Sequence, residues 1–468
     1  MSDAVVQELG ARQELNQRRL TDLVAVQSVS SPAADPQAMR ESAAGIRDLL
    51  AEIGAEDVAI LELEDAHPYV YAEFPAGPDR LTCLLYAHHD VQPVGDTAAW
   101  TSDPFVAVER DGRLYGRGTA DDKGGLMVHV SAVEAWLRAV STVPINLKLL
   151  VDGEEEIGSP HLPALLAREG DRLQSNLVVI PDSMNWDEGE PALTSSLRGV
   201  VSVVIEVRAL THALHSGIWG GAAPDPLMAL CRVLNSLIEP DGSVVENIVP
   251  RIERSERHTS RREHLSTNEV EQLRERLGLR SGVAFIGDRE VSVLDRLWEG
   301  PSLTVIGIDA PSVAGASNSI QPIGRARVSL RLPPDEDPKT VRRRLTEHVK
   351  EHVPWGLECT VTPVSCGRGW RAAANSRVQS AAFSSLEKGY GHPAISIGMG
   401  GSVPAVSMLR SALGDVDFVL TGIEDHRSNA HGIDESLNLD DWRNACIAES
   451  LLFGELANVA ADTATTTA

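Results

Sequence analysis

Apolar positions in the first 198 residues follow two different periods. They recur at helical spacing over residues 5–26, 36–53 and 124–140. Short unbroken apolar runs, which are typical of buried strands, lie between and after these helices. The predicted strands are 58–63, 69–74, 81–86, 145–151 and 177–180. Because the strands alternate with helices, the pattern predicts an α/β domain with a mixed sheet flanked by helices.

The pattern changes at residue 199. Residues 200–207 are β-branched almost throughout, and the predicted elements that follow are strands 303–308, 325–332 and 358–364 and helices 225–238 and 339–352. Residues 251–279 are charged and predicted to be mostly helical. The α/β pattern returns with helices from residue 376 and over 440–456 and a strand at 417–420. We therefore predict three parts: a first catalytic part at 1–198, an inserted α+β domain at 199–372, and a second catalytic part at 373–468.

Composition excludes several classes of partner. The formal net charge of −25 over 468 residues argues against nucleic acid and anionic membranes as partners. No apolar run approaches the ~20 residues of a membrane span, and the first thirty residues lack the apolar core of a signal peptide. Five cysteines without a CxxC pair favour free thiols in a reducing compartment. We expect a cytoplasmic protein.

A predicted buried strand runs directly into His88, His89 and Asp90. Buried imidazole and carboxylate groups must be hydrogen-bonded or metal-bound to avoid a large desolvation cost. Residues two apart on an extended segment face the same side. His88 can therefore bind a metal ion while Asp90 accepts a hydrogen bond from its other ring nitrogen, with His89 pointing away. A hydrogen-bonded pair without metal is the alternative.

Two further acidic segments adjoin predicted elements. Asp121 and Asp122 precede a helix, and one of them is expected to cap its N-terminus. Because a cap needs only one acidic residue, the second requires another explanation. Asp121 is suited to bridging two cations. Glu154, Glu155 and Glu156 follow a buried strand, where their charges repel unless cations neutralise them. The run would be explained if one glutamate were a metal ligand and its neighbour a general base. If the three glutamates lay on a solvated loop instead, the run would need no special explanation.

The remaining candidate site residues are informative only in combination with the acidic residues described above. Asp182 follows the strand at 177–180, and His215 and His431 lie in glycine loops, where each alone is equally consistent with a surface histidine. Ligands bind beyond the carboxyl ends of strands in α/β sheets, so we expect these strand-end residues to converge. An oxygen-rich, thiolate-free site with imidazole suits zinc or manganese, and a paired site suits hydrolysis.

The motifs together resemble one family, the di-metal peptidases that include carnosine dipeptidases, acetylornithine deacetylase and succinyl-diaminopimelate desuccinylase. The resemblance runs from about Leu81 to the last helix. It is carried, in order, by His88-x-Asp90, Arg117-Gly118-x-x-Asp121-Asp122-Lys123-Gly124, Glu155-Glu156-x-Gly158-Ser159, Asp182, His215-Ser216-Gly217 and Ala430-His431. Gln92-Pro93, Gly220-Gly221 and Gly401-Ser402-Val403-Pro404 are similar to the carnosine dipeptidase branch.

The resemblance implies a role for each matched residue. Asp121 would bridge two divalent ions, with zinc favoured and manganese or cobalt as alternatives. His88 and Asp182 would complete the ligand set of one ion, and Glu156 and His431 that of the other. Glu155 would be the general base for a metal-bridged hydroxide, Asp90 would orient His88, and the Asp121–Asp122 peptide bond would be cis. His215 would stabilise the oxyanion, in its own or the partner subunit's site. The predicted substrate contacts are Arg331, Asn318, Ser319 and Ser402.

The resemblance therefore implies a dipeptidase that cleaves dipeptides or short peptides. The inserted domain would be a lid through which two copies form a homodimer. An N-acyl-amino-acid deacylase with the same di-metal site is the nearest alternative, and a non-enzymatic metal-binding protein is the alternative from another class. The sequence departs from the family at Ala87 and His89. The third acid, Glu154, leaves open which two of the three glutamates match the family's pair. We choose Glu155 and Glu156 because Gly158-Ser159 follows them at the spacing of the family motif.

Overall fold

The computed structural model describes residues 2–31, 34–252, 267–374, 376–401 and 403–466. The chain forms two compact units. The first comprises Met1–Ser195, Ala372–Ile397 and Pro404–Ala468, and the second comprises Ser196–Arg371 and Gly398–Val403. The predicted fold, an α/β sheet with a separate inserted α+β segment, is confirmed. The predicted lid and dimerisation role of the insert stays a prediction.

The first unit contains most of the helices. Its helices are α1 (Ser2–Ala25), α2 (Pro36–Ile53), α3 (Lys123–Val140), α4 (Leu162–Arg168) and α5 (Gly170–Leu173) before the insert. Its strands there are β1 (Asp57–Leu61), β2 (Tyr69–Phe74), β3 (Thr82–His88), β4 (Val108–Arg110), β5 (Arg113–Tyr115), β6 (Asn146–Asp152), β7 (Leu177–Ile180) and β8 (Ala192–Leu197), the last of which runs on into the second unit. Local signals set the boundaries of α2, since the Asp35 side chain accepts the N–H of Gln37 and Gly54 ends the helix with φ 106°.

The second unit begins at Ser196, near the end of β8. Its elements are β9 (Gly199–Arg208), β10 (Leu214–His215), α6 (Ser216–Trp219), α7 (Pro226–Asn235), α8 (Thr267–Arg276), α9 (Val293–Trp298), β11 (Ser302–Asp309), β12 (Ser319–Ile320), β13 (Ile323–Leu332), α10 (Pro338–His352), β14 (Glu358–Gly367) and β15 (Trp370–Arg371). The chain then completes the first unit with α11 (Arg377–Tyr390), β16 (Ile395–Met399), α12 (Pro404–Leu413), β17 (Asp417–Thr421), β18 (Ser436–Asn438) and α13 (Leu439–Thr466).

The central sheet of the first unit is mixed. Its strands follow the order β1-β2-β6-β3-β7-β17-β8, and β16 also pairs with β8. Strands β6, β3, β7 and β17 are parallel, and the register sets His88 opposite Asp152 and Leu420 opposite Ile180. Because parallel strands end at a common edge, the segments after these four strands meet there.

A large apolar core supports that edge. Helix α3 is buried over its first fourteen residues, and it shares one core cluster with α1, α2, α11, α13 and the central strands. In the second unit, β11-β13-β9-β14 form an antiparallel sheet, and α7 and α10 pack on it through a second cluster that includes Leu230, Val233, Val341 and Leu345. No helix in the described ranges is long and apolar enough to cross a bilayer.

Several predicted element boundaries differ from those of the structure. Strand β3 continues through His88, two residues beyond its predicted end. The last helix continues to Thr466 rather than ending at residue 456. Within the segment predicted to be mostly helical, α8 covers Thr267–Arg276, while residues 253–266 lie outside the described part of the chain.

Candidate metal centre

Asp121 lies between two groups of possible metal ligands. One group is His88, Asp121 and Asp182, and the other is Asp121, Glu156 and His431; in each, one ligand atom per residue lies within 4.8 Å of the others. His88 Nε2 is 2.9 Å from Asp121 Oδ1, and His431 Nε2 is 2.9 Å from Asp121 Oδ2. The two carboxylate oxygens of Asp121 therefore face different groups, which is the arrangement that a bridging ligand requires.

The His88 ring shows that the residues fit a cation. Its Nδ1 lies 3.0 Å from the Asp90 carbonyl oxygen, so the tautomer protonated on Nδ1 satisfies that contact. Nε2 is then an acceptor, and this buried atom has no hydrogen-bond partner among the described residues. It faces Asp121 and, at 3.9 Å, Asp182 Oδ2. An imidazole lone pair directed at carboxylate oxygens is a donor set that a divalent cation satisfies.

The electrostatics of the cluster reflect its excess of negative charge. Burial opposes protonation of His88, but the adjacent Asp121 and Asp90 outweigh it and raise its pKa. Hydrogen bonds to Asp121 and Glu156 raise the pKa of His431 to about 11. Burial and the neighbouring Asp121 charge raise the pKa of Asp182 to about 7. The carboxylates thus draw positive charge toward both histidines, as they would toward a metal ion.

Asp90 has a second contact that the sequence did not predict. Its Oδ1 accepts the backbone N–H of Glu155 at 3.1 Å, and its Oδ2 accepts that of Glu156 at 3.0 Å. The predicted hydrogen bond from His88 to the Asp90 carboxylate needs correction, because the nearer acceptor is the backbone carbonyl and Oδ1 is 3.4 Å from Nδ1. Asp90 therefore ties the end of β3 to the turn that carries the glutamates.

The three glutamates after β6 have different environments. Glu154 is buried, and its carboxylate accepts hydrogen bonds from the Tyr69 hydroxyl at 2.7 Å and the His67 N–H at 3.1 Å, with His161 Nδ1 at 2.9 Å. Glu155 and Glu156 are half-buried and begin a 3₁₀ turn over Glu155–Ile157. Glu154 is thus held in a separate network, and Glu156 is the glutamate that belongs to a candidate ligand group.

Glu155 directly precedes Glu156 and belongs to neither group of candidate ligands. Burial raises its pKa well above the ordinary value; the His88 charge acts in the opposite direction, while the Asp182, Asp121 and Asp90 charges raise the pKa further. Its backbone is fixed by Asp90. The Glu155 carboxylate thus lies close enough to His88, Asp182 and Asp121 to interact with their charges.

Two neighbours of the site were missed by the sequence analysis as functional residues. Gln92 Nε2 donates to Glu156 Oε2 at 2.8 Å and to the Glu156 carbonyl at 3.1 Å, so it orients that ligand. Glu424 follows β17, and burial together with the Asp121 and Asp182 charges raises its pKa. Its position after a strand of the parallel set was the signal that could have identified it.

The other predicted neighbours are placed as follows. His89 lies away from the cluster, with Nδ1 3.0 Å from Ser42 Oγ and Nε2 2.9 Å from the Pro68 carbonyl. The peptide bond between Asp121 and Asp122 is cis. Asp122 occupies the N-cap position of α3, as predicted for one of the two acids. Its side chain makes no capping hydrogen bond, and its Oδ2 accepts the His88 N–H at 3.3 Å.

The remaining predicted site residues belong to the second unit. His215 lies in β10 opposite Ser319 of β12, and the N–H of Ser216 donates to the Asn318 carbonyl. His215 is exposed, and its Nδ1 accepts the Gly217 N–H at 3.1 Å. Arg331 lies in β13, opposite Val200 and Ser302. Ser402 lies outside the described residues.

Comparisons with known proteins agree with this site. The model of the peptidase family M20/M25/M40 matches residues 84–450. The chain is 30% identical over 436 residues to the cysteinylglycine-S-conjugate dipeptidase of Corynebacterium striatum, covering 92% of this chain and 93% of that protein. It is 27% identical over 458 residues to a Cys-Gly metallodipeptidase of Schizosaccharomyces pombe, covering 94% and 95%. The crystal structure of human carnosine dipeptidase 1 matches with a TM-score of 0.81 at 27% identity, over 98% of this chain and 99% of that one.

The chain therefore belongs to the peptidase family M20/M25/M40. The predicted family, its carnosine dipeptidase branch and the assignment as an enzyme, a metallopeptidase, are confirmed. The carboxylate and imidazole groups around Asp121 are the candidate metal ligands of this peptidase.

Proposed function

We propose that the protein is a metal-dependent dipeptidase that hydrolyses the amide bond of dipeptides or other short peptides. The observation that carries this proposal is the Asp121 carboxylate, whose two oxygens each face a separate histidine at 2.9 Å. Relatives named as dipeptidases that align over more than nine-tenths of both chains support the substrate class.

The ligand set defines what each group would hold. His88, Asp182 and Asp121 would bind one divalent cation, and Glu156, His431 and Asp121 the other, with zinc favoured by the mixture of imidazole and carboxylate ligands and manganese or cobalt as alternatives. When bound, such cations lower the pKa of water and polarise a substrate carbonyl. Asp90 and Gln92 hold the ligands His88 and Glu156 in place through the contacts described above.

Glu155 is the proposed general base. It would take a proton from the attacking water and pass it to the amine that leaves when the amide bond breaks, so that no net proton is gained or lost by the side chain. Its interaction with the charges of His88, Asp182 and Asp121 and the hydrogen bond from its backbone N–H to Asp90 support that role.

Roles outside the metal centre remain proposals. We propose oxyanion stabilisation by His215, carboxylate binding by Arg331 and Ser402, and further substrate contacts at Asn318 and Ser319. Arginine suits the carboxylate of a peptide because its planar fork can donate two parallel hydrogen bonds. A homodimer formed through the second unit and a cytoplasmic location belong to the same proposal.

Hydrolysis of a substrate panel tests the function. Purified protein, stripped of metal and reloaded with Zn²⁺, Mn²⁺ or Co²⁺, would be offered Cys-Gly, β-Ala-His and other dipeptides, with N-acetyl and N-succinyl amino acids as the competing class. We expect dipeptide cleavage that depends on added metal. Cleavage of only the N-acylated compounds would assign the chain to the deacylases instead, and no metal-dependent cleavage of either class would reject the proposal.

A further inference from the structure

A buried ion pair lies behind the candidate metal centre. Arg117 precedes the segment that ends in Asp121, and Glu435 follows His431 by four residues. Arg117 Nη1 donates to Glu435 Oε2 at 2.6 Å, and the two residues are 1% and 0% exposed. Burying two charges is costly unless further hydrogen bonds satisfy them, so the other contacts of this pair show what it does.

Glu435 holds the backbone of the Asp121 segment. Its Oε1 accepts the N–H groups of Ala120 at 3.0 Å and Asp121 at 3.1 Å, and both of its oxygens lie 3.0 Å from the Gly118 N–H. The Glu435 carbonyl accepts the Gly116 N–H at 2.9 Å. The N–H groups of Gly118, Ala120 and Asp121 thus converge on one carboxylate, as backbone donors do in anion sites.

Arg117 extends the same network to the other ligand-bearing segments. Its Nη2 donates to the Gly432 carbonyl at 3.0 Å, next to His431, and to the Pro93 carbonyl at 3.3 Å, on the segment that follows His88 and Asp90. One guanidinium therefore contacts the segments that follow both histidine ligands. Its planar fork permits these simultaneous contacts, which a lysine amine could not reproduce in the same geometry.

We propose that Arg117 and Glu435 are positioning residues that hold Asp121 in register with His431 and His88, and thereby set the affinity of the protein for its pair of cations. The proposal rests on the proposed two-cation site. Neither side chain belongs to either ligand group. The pair acts through the backbone of Asp121, so its loss would displace the one carboxylate that both groups share.

A matched pair of variants separates positioning from simple stabilisation. Glu435→Gln keeps the shape of the side chain but removes its negative charge. It also replaces one carboxylate oxygen, an acceptor, with an amide NH₂, a donor that would face the backbone N–H groups or the Arg117 guanidinium. Glu134→Gln is the control, because Glu134 is also buried and its Oε2 accepts Arg19 Nη1 at the same 2.6 Å, yet it lies on α3 and contacts none of the ligand segments. Arg117→Lys provides a milder second variant should Glu435→Gln fail to fold.

The readouts are metal affinity and geometry as well as activity. Metal-free protein would be titrated with Zn²⁺ by calorimetry and with Co²⁺ by visible absorption, and Tm would be measured without metal. We expect Glu435→Gln to weaken the binding of at least one ion by about 10–100-fold and to change the Co²⁺ spectrum. Arg117→Lys should change both in the same direction, and Glu134→Gln should bind as the unchanged protein does even where its Tm falls.

Two results would overturn the inference. One is Zn²⁺ binding and a Co²⁺ spectrum in Glu435→Gln and Arg117→Lys that match the unchanged protein. The other is a loss of affinity in Glu134→Gln equal to that in Glu435→Gln for the same fall in Tm, which would reduce the pair to a structural role. Absence of paired binding in the unchanged protein would instead reject the proposed function, so the two failures are distinguishable.

Discussion

The Asp90 carboxylate accepts the backbone N–H of Glu156 at 3.0 Å, across 66 positions of the chain. Through the neighbouring oxygen it also accepts the N–H of Glu155. One side chain at the end of β3 therefore fixes the start of the turn after β6, where a proposed ligand and the proposed base are adjacent. The arrangement makes the position of the glutamates depend on a residue that belongs to neither ligand group.

Asp90→Asn tests this dependence. The amide keeps the shape but offers one carbonyl oxygen where two N–H groups need acceptors, and its NH₂ would face one of them. We expect kcat/KM for a dipeptide to fall by about 10–100-fold, with weaker Zn²⁺ binding, as for other residues that orient metal ligands. Calorimetric titration together with steady-state kinetics checks this, and full activity with unchanged affinity would contradict it.

Glu155→Ala should separate chemistry from metal binding. We expect the rate to fall by at least about 10²-fold, because a positioned general base contributes roughly 10²–10⁴-fold. Metal content should stay near that of the unchanged protein, since Glu155 is in neither ligand group. Elemental analysis and single-turnover kinetics measure the two quantities, and an unchanged rate would remove Glu155 from its role.

Glu154→Gln is the matched control, with the opposite expected result. The Glu154 carboxylate accepts hydrogen bonds from buried donors on His67 and Tyr69. Because poorly matched buried donors cost about 1–3 kcal/mol each, the free energy of unfolding should fall while the folded enzyme keeps its kcat. A fall in kcat like that of Glu155→Ala would contradict the separation of the two glutamates.

His431→Ala should remove one cation rather than both. His431 is a member only of the group that contains Glu156, so the group of His88, Asp121 and Asp182 keeps all its ligands. Metal analysis should show the content reduced by about half, since a site that loses one protein ligand binds weakly. His426→Ala is the control, because that histidine lies in the same loop and pairs with Asp187 at 2.9 Å. Equal metal loss in both variants would contradict the assignment.

Gly118→Ala should destabilise the protein more than Gly112→Ala. Both glycines have positive φ, 85° and 75°, which costs an alanine about 1–2 kcal/mol. Only at Gly118 would the new Cβ lie 2.7 Å from Val91 Cγ1, whereas no atom lies within 4 Å at Gly112. Overpacking adds about 1–3 kcal/mol, so chemical denaturation should show the larger loss for Gly118→Ala. Equal losses would show that the crowding is relieved.

Much of this site could be predicted because its residues follow strands of one parallel set. His88 is the last residue of β3, Glu156 and Asp182 follow β6 and β7 within four residues, and the carboxyl ends of parallel strands share an edge. His431 has no such local signal, since it lies in a loop with a φ of 62°, and only the order of motifs pointed to it.

The contacts that hold the ligands could not be predicted. Arg117 and Glu435 are 318 positions apart, and nothing in their own segments shows that both charges are buried together. In the same way, the run of three glutamates does not show that Tyr69 binds the first of them. Such pairings arise only when distant segments pack, and local patterns carry no record of them.

Anomalous diffraction at the zinc edge from crystals of the metal-loaded protein, with elemental analysis of the same sample, tests the proposed two-cation site most directly. We expect a pair of zinc ions per chain on either side of the Asp121 carboxylate, one beside His88 and Asp182 and the other beside Glu156 and His431. A single ion, or ions that do not contact Asp121, would contradict it.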